Sequence, residues 1–554
     1  MRKEGKGDAL ENLPAAAAEY IRLVIKKMRY RKKVRSEVMA ELAGHFEDEL
    51  KDCKSEEEKE QKAKQLIEDF GDPKLLGILL RRAKKRCRPL WRTVIVRTFQ
   101  AAGILIIFLI GYAIWFMAGK PVISTDYVAE FNRLVRPVAD ETQNASPLYD
   151  KAIQLLEANS DFNDVKILLQ AGKKYEASTD EKGKTDKWIT ENKEVFDLVI
   201  AGSQKPYCWM IYKNEGPNSG MRGVSTPNNS GFRYLALLLN WRAQFFAEQG
   251  SYEDSFNDLT ACYRFGRHIR QGNKTLVEQL VGIAIEGLSV ETICRILDTH
   301  KIDSAALTIL QKNLEETIAK EDFVINFTGE KLYMYDEIQR CFTDSAFGSH
   351  LYLPRIRLYL GSDKKPEYFW LEVFAPFVSP KMTFHVLFTQ PGKVKTRQMV
   401  DRLYNHDNIA HKTPAQIHSE KIDSEKEFMK IVKGNLFLEI MAPAINRVLE
   451  LSFRSKINTQ ATISILALLR YKQEKGQYPD SLDELVSNGF LKELPMDPWS
   501  DKPLVYKKTE SSFTLYSVGK NFVDDGGVSA KDKDGQIQMW NEKEGDVVFW
   551  PVVK

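Results

Sequence analysis

The sequence predicts a mainly α-helical protein in four parts. These are a cytoplasmic three-helix module (residues 1–92), a single transmembrane helix (93–120), a large extracytoplasmic helical array (121–434) and a small α+β domain that begins with a long helix (435–554). Three observations support this prediction: one long uncharged run, apolar residues spaced three or four apart along much of the chain, and short β-rich segments confined to the C-terminal part.

The transmembrane prediction depends on the run from Thr98 to Gly119, which has 22 residues and no charge. A helix of that length extends roughly 33 Å, enough for a hydrocarbon core of about 30 Å. The stretch Ile104 to Ile110 is apolar throughout, so every helix face is apolar, whereas a buried core helix usually has one apolar stripe. We therefore prefer a membrane span to a core helix. Its distance from the N-terminus also disfavours a cleaved signal peptide.

Charges flanking the apolar run set the predicted orientation. The eight charges before it are all positive: Arg81, Arg82, Lys84, Lys85, Arg86, Arg88, Arg92 and Arg97. Because Lys-rich and Arg-rich flanks stay in the cytoplasm, residues 1–97 should lie inside and the chain after Lys120 outside, as in a single-pass protein of the cell inner membrane. Residues 1–97 hold 25 basic against 17 acidic residues, and the rest of the chain holds 55 against 59. The lipid bilayer is thus a predicted partner, and no motif indicates nucleic acid.

The composition, 43% hydrophobic and 28% charged, is that of folded domains rather than a disordered chain. Its six cysteines fall on both predicted sides: Cys53 and Cys87 before the span, and Cys208, Cys262, Cys294 and Cys341 after it. None of the spacings is typical of a zinc site. The four outer cysteines form disulfides in an oxidising envelope or remain buried thiols, and the sequence leaves both open.

The inner module is predicted to contain three helices. Five apolar residues at four-residue steps mark an amphipathic helix: Val34, Val38, Leu42, Phe46 and Leu50. Ser55 and Glu58 have the spacing of a capping box for a second helix, which should end at Gly71. Asp72, followed by Pro73, is typical of an N-cap and predicts the start of the third helix.

Residues Tyr30 to Lys85 resemble the small HAAS-type helical module of bacterial membrane proteins. The resemblance depends on the Val34 to Leu50 helix, the acidic Ser55 to Glu60 connection, and the run Ala63 to Pro73 with its Phe-Gly-Asp-Pro ending. In that family the module precedes a transmembrane segment and relays signals or mediates contacts without catalysis. A generic three-helix bundle is the alternative.

In the outer region the clearest helices lie between Phe232 and Leu297. Apolar spacing predicts one helix around Leu235 to Phe246, a second from Ser251 to Ile269 and a third from Leu276 to Leu297. Helix–turn–helix units of this length are similar to solenoid repeats, but the chain has no strict repeat period. We therefore predict a helical array without a repeat family.

Three other outer segments carry weaker signals. Asn214 to Gly231 is rich in Asn, Gly, Ser and Pro and is predicted to be a surface loop. Phe369 to Phe388 is apolar but interrupted by three ionisable residues and two prolines, which favours a buried or interfacial segment over a second span, with a membrane-associated hairpin as the alternative. His406, His411 and His418 do not share one helical face, which disfavours a metal site.

The C-terminal part is predicted to be a long helix from about Leu436 to Lys475, followed by a short helix and three short strands. Gly476 should end the long helix, and Ser481 with Glu484 has the spacing of a capping box for the short one. The predicted strands are Leu504 to Tyr506, Phe513 to Val518 and Val547 to Trp550.

This part resembles, from Ala461 to about Gly527, the globular domain of the major (G-type) pseudopilins of type II secretion. The matching pieces, in order, are Ala467-Leu468-Leu469-Arg470-Tyr471, Gly476-Gln477-Tyr478-Pro479, Leu482-Asp483-Glu484-Leu485, Leu494-Pro495-Met496-Asp497-Pro498-Trp499 and Leu515-Tyr516-Ser517-Val518-Gly519. The resemblance implies envelope or secretion-system proteins as partners. The chain departs from the family in lacking the leader, peptidase site and apolar helix at its start, so we do not expect processing or polymerisation into a pseudopilus.

In the secretion family a loop after the sheet binds calcium, so the resemblance implies a calcium site in the corresponding acidic segment. The residues that offer oxygen ligands there are Asp524, Asp525, Asp532 and Asp534. A solvated acidic turn is the alternative. An EF-hand is not predicted, because Ala530 and Asn541 stand where that motif needs Asp and Glu.

The sequence contains no phosphate-binding loop, zinc-protease motif, nucleophile elbow, dinucleotide fingerprint or kinase set. Glu330 and Asp336, near Tyr333 and Tyr335, are acid–base candidates for a glycan, although solvated helix-face residues are the simpler interpretation. We expect a non-enzymatic protein-interaction or assembly component linked to type II secretion or pilus-like machinery. An envelope glycan hydrolase or a ligand-binding sensor is the alternative.

Overall fold

The computed structural model describes residues 10–86, 90–170, 179–214, 216, 219–224, 229–318, 325–345, 348–359, 384–405, 412–443 and 445–552. These residues are mainly α-helical, with a small sheet region near the C-terminus, which confirms the predicted class. The chain divides into two compact units, Met1–Ala118 and Gly119–Lys554. The predicted boundary between residues 434 and 435 therefore falls inside the second unit.

Five helices make up the described part of the first unit: α1 (Ala15–Met28), α2 (Lys32–Leu50), α3 (Glu56–Phe70), α4 (Pro73–Arg86) and α5 (Leu90–Ala118). The prediction of three helices before the span was wrong because it omitted α1. This helix supplies Ile21, Val24 and Met28, all fully buried, to the core of the unit. A Cβ on Gly77 of α4 would lie 2.9 Å from the Val24 carbonyl oxygen, so α4 crosses α1 closely.

The predicted helices α2, α3 and α4 of this unit are confirmed. Val38, Leu42, Phe46 and Leu50 of α2 are buried, as their spacing required. The Ser55 hydroxyl caps α3 by accepting a hydrogen bond from the Glu58 N–H (3.2 Å), although the Glu58 carboxylate accepts from the N–H of Lys54 rather than that of Ser55. The Asp72 carboxylate caps α4 by accepting from the Lys74 N–H (3.1 Å).

Within the described residues, one helical segment is long and apolar enough to cross a membrane. It is Val94–Ala118 of α5, and only 6% of its most apolar window is buried inside the structure. A soluble core helix would be mostly buried, so this exposure is compatible with a single-pass membrane protein.

The second unit begins with a long helical region. Its helices are α6 (Tyr127–Val135), α7 (Ser146–Ala158), α8 (Phe162–Gln170), α9 (Thr179–Glu191), α10 (Lys193–Ser203), α11 (Asn229–Glu248), α12 (Tyr252–Arg270), α13 (Leu276–Thr299), α14 (Ser304–Ile318), α15 (Thr328–Cys341), α16 (Leu353–Tyr359), α17 (Lys393–Tyr404), α18 (Pro414–Ser419), α19 (Ser424–Val432), α20 (Leu436–Met441), α21 (Ile445–Lys475) and α22 (Leu482–Ser487). The three helices predicted between Phe232 and Leu297 are confirmed as α11, α12 and α13.

Two small antiparallel sheets follow. One joins β1 (Met496–Asp497) to β2 (Lys502–Pro503), and the other has the order β3 (Val505–Lys508), β4 (Phe513–Ser517) and β5 (Val547–Trp550). The three predicted strands are thus confirmed. The β1 and β2 strands were not predicted, since two residues are too few to show an alternating pattern.

Two predictions near the C-terminus were wrong. The single helix from Leu436 to Lys475 is two helices, α20 and α21, which are separated around Pro443. Proline lacks an N–H and disfavours helical backbone at the preceding residue, so it ends α20. The Ser481 side chain does not cap α22; the Glu484 carboxylate instead accepts from the Asp480 N–H (3.2 Å) and the Tyr471 hydroxyl (3.0 Å).

One hydrophobic core joins the end of the helical region to the C-terminal sheet. It contains Leu259 of α12, Leu310 of α14, Leu466 of α21 and Leu515 of β4, all fully buried. A second core, formed mainly by α6 to α13, contains the buried rings of Phe131, Tyr149, Phe196, Phe232 and Phe265. Because α12 and α13 contribute to both cores, they connect the two halves of the unit.

Helices α12 and α13 cross at a pair of glycines. A Cβ on Gly282 would lie 2.5 Å from the Gly266 carbonyl oxygen, and a Cβ on Gly266 would lie 2.9 Å from that of Gly282. Only glycine fits so close a backbone approach without displacement.

We expect Gly282→Ala to lower the free energy of unfolding by roughly 1–3 kcal/mol, because the added methyl group overpacks this crossing. Gly287→Ala, on the same helix, is the matched control. A Cβ there meets nothing within 4 Å, so removing a helical glycine should stabilise the protein by about 0.5–1 kcal/mol. Denaturant unfolding of both variants measures the difference, and equal stability would contradict the close crossing.

Candidate functional site

The candidate site is an open cleft of about 700 Å³ between α13, α21 and the C-terminal chain. On α13 the residues that line it are Ala284, Gly287, Leu288, Val290, Glu291 and Cys294. The other lining residues are Asn458 and Thr462 of α21, Gln536, Ile537, Met539, Trp540, Val548, Phe549 and Val552. Most of the α13 residues recur at steps of three or four, which places them on one helix face.

Two local features keep the cleft open. Gly287 has no side chain, and a Cβ at its position would meet only open space. The Cys294 sulfur lies 3.4 Å from the Thr462 hydroxyl, so a polar contact holds α13 against α21 beside the cleft. The two walls of the cleft that α13 and α21 form are therefore held at a fixed distance from each other.

Trp540 forms part of the opposite wall in a strained conformation. Its backbone has φ +64°, in the left-handed region that residues other than glycine rarely adopt. The indole ring packs 4.5 Å from that of Trp499 between centroids, and the Arg454 guanidinium lies 4.8 Å from its centroid. Such strain persists where the surroundings hold it, and it occurs often at binding sites.

The chemistry of the lining favours binding over catalysis. Large apolar side chains alternate with a few polar groups: the Glu291 carboxylate, the Asn458 and Gln536 amides and the Thr462 hydroxyl. Burial raises the pKa of the Cys294 thiol to about 11, so it is protonated at neutral pH and is a poor nucleophile. An apolar surface with a few polar groups that fix orientation is typical of binding sites.

The four predicted calcium ligands lie in the segment between β4 and β5, where the carboxylates of three of them accept hydrogen bonds from backbone N–H groups. The Asp524 carboxylate accepts from the Tyr516 hydroxyl (2.8 Å) and the Gly526 N–H (2.9 Å), which lowers its pKa. Asp532 accepts from the N–H groups of Asp534 (2.9 Å) and Gln536 (2.8 Å).

Two more carboxylates of this segment also accept hydrogen bonds from backbone N–H groups. Asp525 accepts from the Gly545 N–H (2.8 Å), and Asp546, which sequence reasoning missed, accepts from the N–H groups of Asp525 and Gly527. The described residues contain no group of three or more His, Cys, Asp or Glu side chains placed to hold a metal ion. Calcium binding by Asp524, Asp525, Asp532 and Asp534 stays a prediction.

The two acid–base candidates on α15 lie in different surroundings. Asp336 is fully buried, and its carboxylate accepts from the Met221 N–H (2.7 Å), the Arg340 guanidinium (2.8 Å) and the Gln339 amide (2.8 Å). Glu330 is half-buried, and burial raises its pKa. The fully buried Asp336 carboxylate cannot reach a glycan. Glu330 and Asp336 therefore do not form an open catalytic pair.

The hydrogen bond from the Met221 N–H to Asp336 also anchors the predicted loop from Asn214 to Gly231. In its described part, a short 3₁₀ turn at Gly220–Gly223 is anchored to α15 by the Met221 N–H, and the Met221 side chain is buried.

Of the apolar run Phe369 to Phe388, residues 369–383 lie outside the described residues, as do His406 and His411. His418 stacks on Phe522 with 4.0 Å between ring centroids, beside another cavity of about 270 Å³.

The described cysteines are free thiols: Cys53, Cys208, Cys262, Cys294 and Cys341. Cys87 lies outside the described residues. Of the two alternatives left open by the sequence, the structure therefore favours thiols for the four outer cysteines. Burial raises the pKa of Cys208 to about 11 and that of Cys262 to about 12, so neither is a reactive thiolate at neutral pH.

Sequence reasoning located the elements that form the cleft but not the cleft itself. Gly287 was a usable signal, because an isolated glycine inside a helical pattern often has a packing or functional reason. The far wall, which includes Trp540, could not be assigned without the tertiary fold.

Comparisons with family models, with curated proteins and with solved structures found no match.

We expect Cys294 to react with iodoacetamide at pH 8 about 100-fold more slowly in the native protein than in the unfolded chain, because its pKa is raised from 9 to about 11. Peptide mass spectrometry of timed samples, with and without urea, measures both rates at the same residue. Equal rates would contradict the raised pKa of this thiol.

Proposed function

We propose that this protein is a single-pass component of the bacterial inner membrane that binds other proteins rather than catalysing a reaction. The N-terminal unit lies in the cytoplasm and residues 119–554 lie outside. The exposed apolar surface of α5 and the eight positive charges that precede its uncharged run support this topology.

The single observation that carries the binding function is the cleft between α13 and α21. Its aromatic side chains, Trp540 and Phe549, are of the type that dominates binding energy at protein interfaces, and Met539 is 49% exposed. Glu291, Asn458 and Gln536 can fix the register of a bound segment. An amphipathic segment of a partner protein fits this combination.

A link to type II secretion or pilus-like assemblies is the more specific form of this proposal. It depends on the resemblance of residues 461–527 to major pseudopilins. The succession of long helix α21, short helix α22 and antiparallel strands β3 to β5 supports it. The enclosed position of Asp336 gives no support to the alternative of a glycan hydrolase.

The proposal can be tested with a photocrosslinking amino acid at Met539 in the tagged full-length chain, in native membranes. We expect discrete protein adducts, which are lost with Gly287→Trp, because the indole fills the cleft, and retained with Gly287→Ala. A crosslinker at Ile309, which is exposed on α14 and does not line the cleft, is the positional control.

Two outcomes would contradict protein binding in the cleft: no adducts at position 539, or the same adducts at positions 309 and 539. Equal unfolding midpoints for the two Gly287 variants exclude a folding defect as the cause of any loss. Mass spectrometry of the adducts tests the secretion link separately, since partners unrelated to secretion or pili would remove that link and leave the binding function.

A further inference from the structure

The chain that follows α5 is held by side chains of α15 and of the segment after it. The Asp344 carboxylate accepts from the Val122 N–H (3.3 Å), and the Gln339 side-chain oxygen accepts from the N–H groups of Ser124 and Thr125 (3.2 Å each). Residues 120–125 are therefore a fixed part of the second unit rather than a loose linker.

The same carboxylate also holds the start of α17. The Lys393 ammonium lies 2.6 Å from the Asp344 oxygen that accepts from the Val122 N–H. The Lys393 N–H donates to the Ser349 hydroxyl (2.7 Å). Because one oxygen contacts both segments, the first turn of α17 lies directly beside the chain that leaves α5.

These two neighbouring segments expose an unusual mixture of side chains, which we call the juxtamembrane patch: Lys120, Val122, Ile123, Val394 and Lys395. The three apolar side chains are 53%, 49% and 71% exposed, in chain order, and both lysines are exposed. Apolar side chains flanked by cations are typical of protein surfaces that lie at the boundary between lipid headgroups and acyl chains.

We infer that the juxtamembrane patch lies in the headgroup region of the membrane that α5 crosses, with its apolar side chains toward the acyl chains and its lysines beside lipid phosphates. This inference depends on the proposed membrane span. Val122 follows Ala118 by four residues, so its Cα lies at most about 14 Å from the end of the span. The interfacial layer on each side of the hydrocarbon core is about 5–8 Å thick, which brings the patch within reach of it.

A bilayer is favoured over a protein as the occupant because covalent continuity with α5 holds the patch near lipid in every molecule. A protein partner would have to displace lipid from this position. The Asp344–Lys393 ion pair neutralises the nearest acid, so the exposed charges of the patch are positive and match anionic headgroups.

The test uses the full chain in liposomes of phosphatidylethanolamine and phosphatidylglycerol, with a bimane label on a cysteine introduced at one position. Val122→Cys and Val394→Cys report the patch, Ile107→Cys reports the span and Ile309→Cys is an exposed apolar control on α14. Lipids that carry a nitroxide near the headgroup or near the acyl end quench the label according to depth. The signal from the labelled unsubstituted chain is subtracted.

We expect headgroup-level nitroxide to quench positions 122 and 394, deep nitroxide to quench position 107, and neither to quench position 309. Quenching at 107 without quenching at 122 and 394 would overturn the inference while leaving the span in place. No quenching at 107 would remove the span and the inference together. Equal quenching at 309 and 394 would show non-specific adsorption and would also overturn it.

Discussion

The Glu286 carboxylate lies, fully buried, where α12, α13 and α21 meet. It accepts from the Arg270 guanidinium of α12 (3.0 Å) and from the Ser455 hydroxyl of α21 (2.9 Å). A buried charge requires partners, and removing one partner of such a pair costs about 3–5 kcal/mol. Displacing one of these helices while Glu286 stays buried would leave the carboxylate without a hydrogen-bond partner, so the network favours the native arrangement of all three helices. This constraint makes the C-terminal part an extension of the helical region rather than a module joined by a linker.

The cleft depends on the same constraint. On one side of α13, Glu286 faces α12 and α21; one residue further on, Gly287 faces the open cleft. With α13 and α21 fixed by the Glu286 network and by the Cys294–Thr462 contact, two walls of the cleft exist before any partner arrives. A preformed site avoids part of the ordering cost of binding, which suits a protein whose proposed role is to recognise other proteins.

Much of this architecture could be predicted from local signals. Four-residue apolar steps identified α2, because one buried helix face imposes that period, and short runs rich in Val, Phe, Tyr and Trp between polar turns identified β4 and β5. Other features needed the tertiary structure. No local pattern indicates that α21 shares a core with α12, or that Trp540 faces α13 across a cleft, since both depend on contacts between residues far apart in the chain. The break at Pro443 was a local signal that the long apolar pattern around it obscured.

Native-state hydrogen exchange of the full chain in increasing denaturant tests most directly whether the helical region and the C-terminal part form one cooperative structure. We expect core amides of α12, α13, α21 and β4 to exchange through a common opening, with the same free energy and the same denaturant dependence. If α21 and β4 open at denaturant concentrations where α12 and α13 remain protected, the C-terminal part is an independent domain. The buried Glu286 network then does not have the role assigned to it.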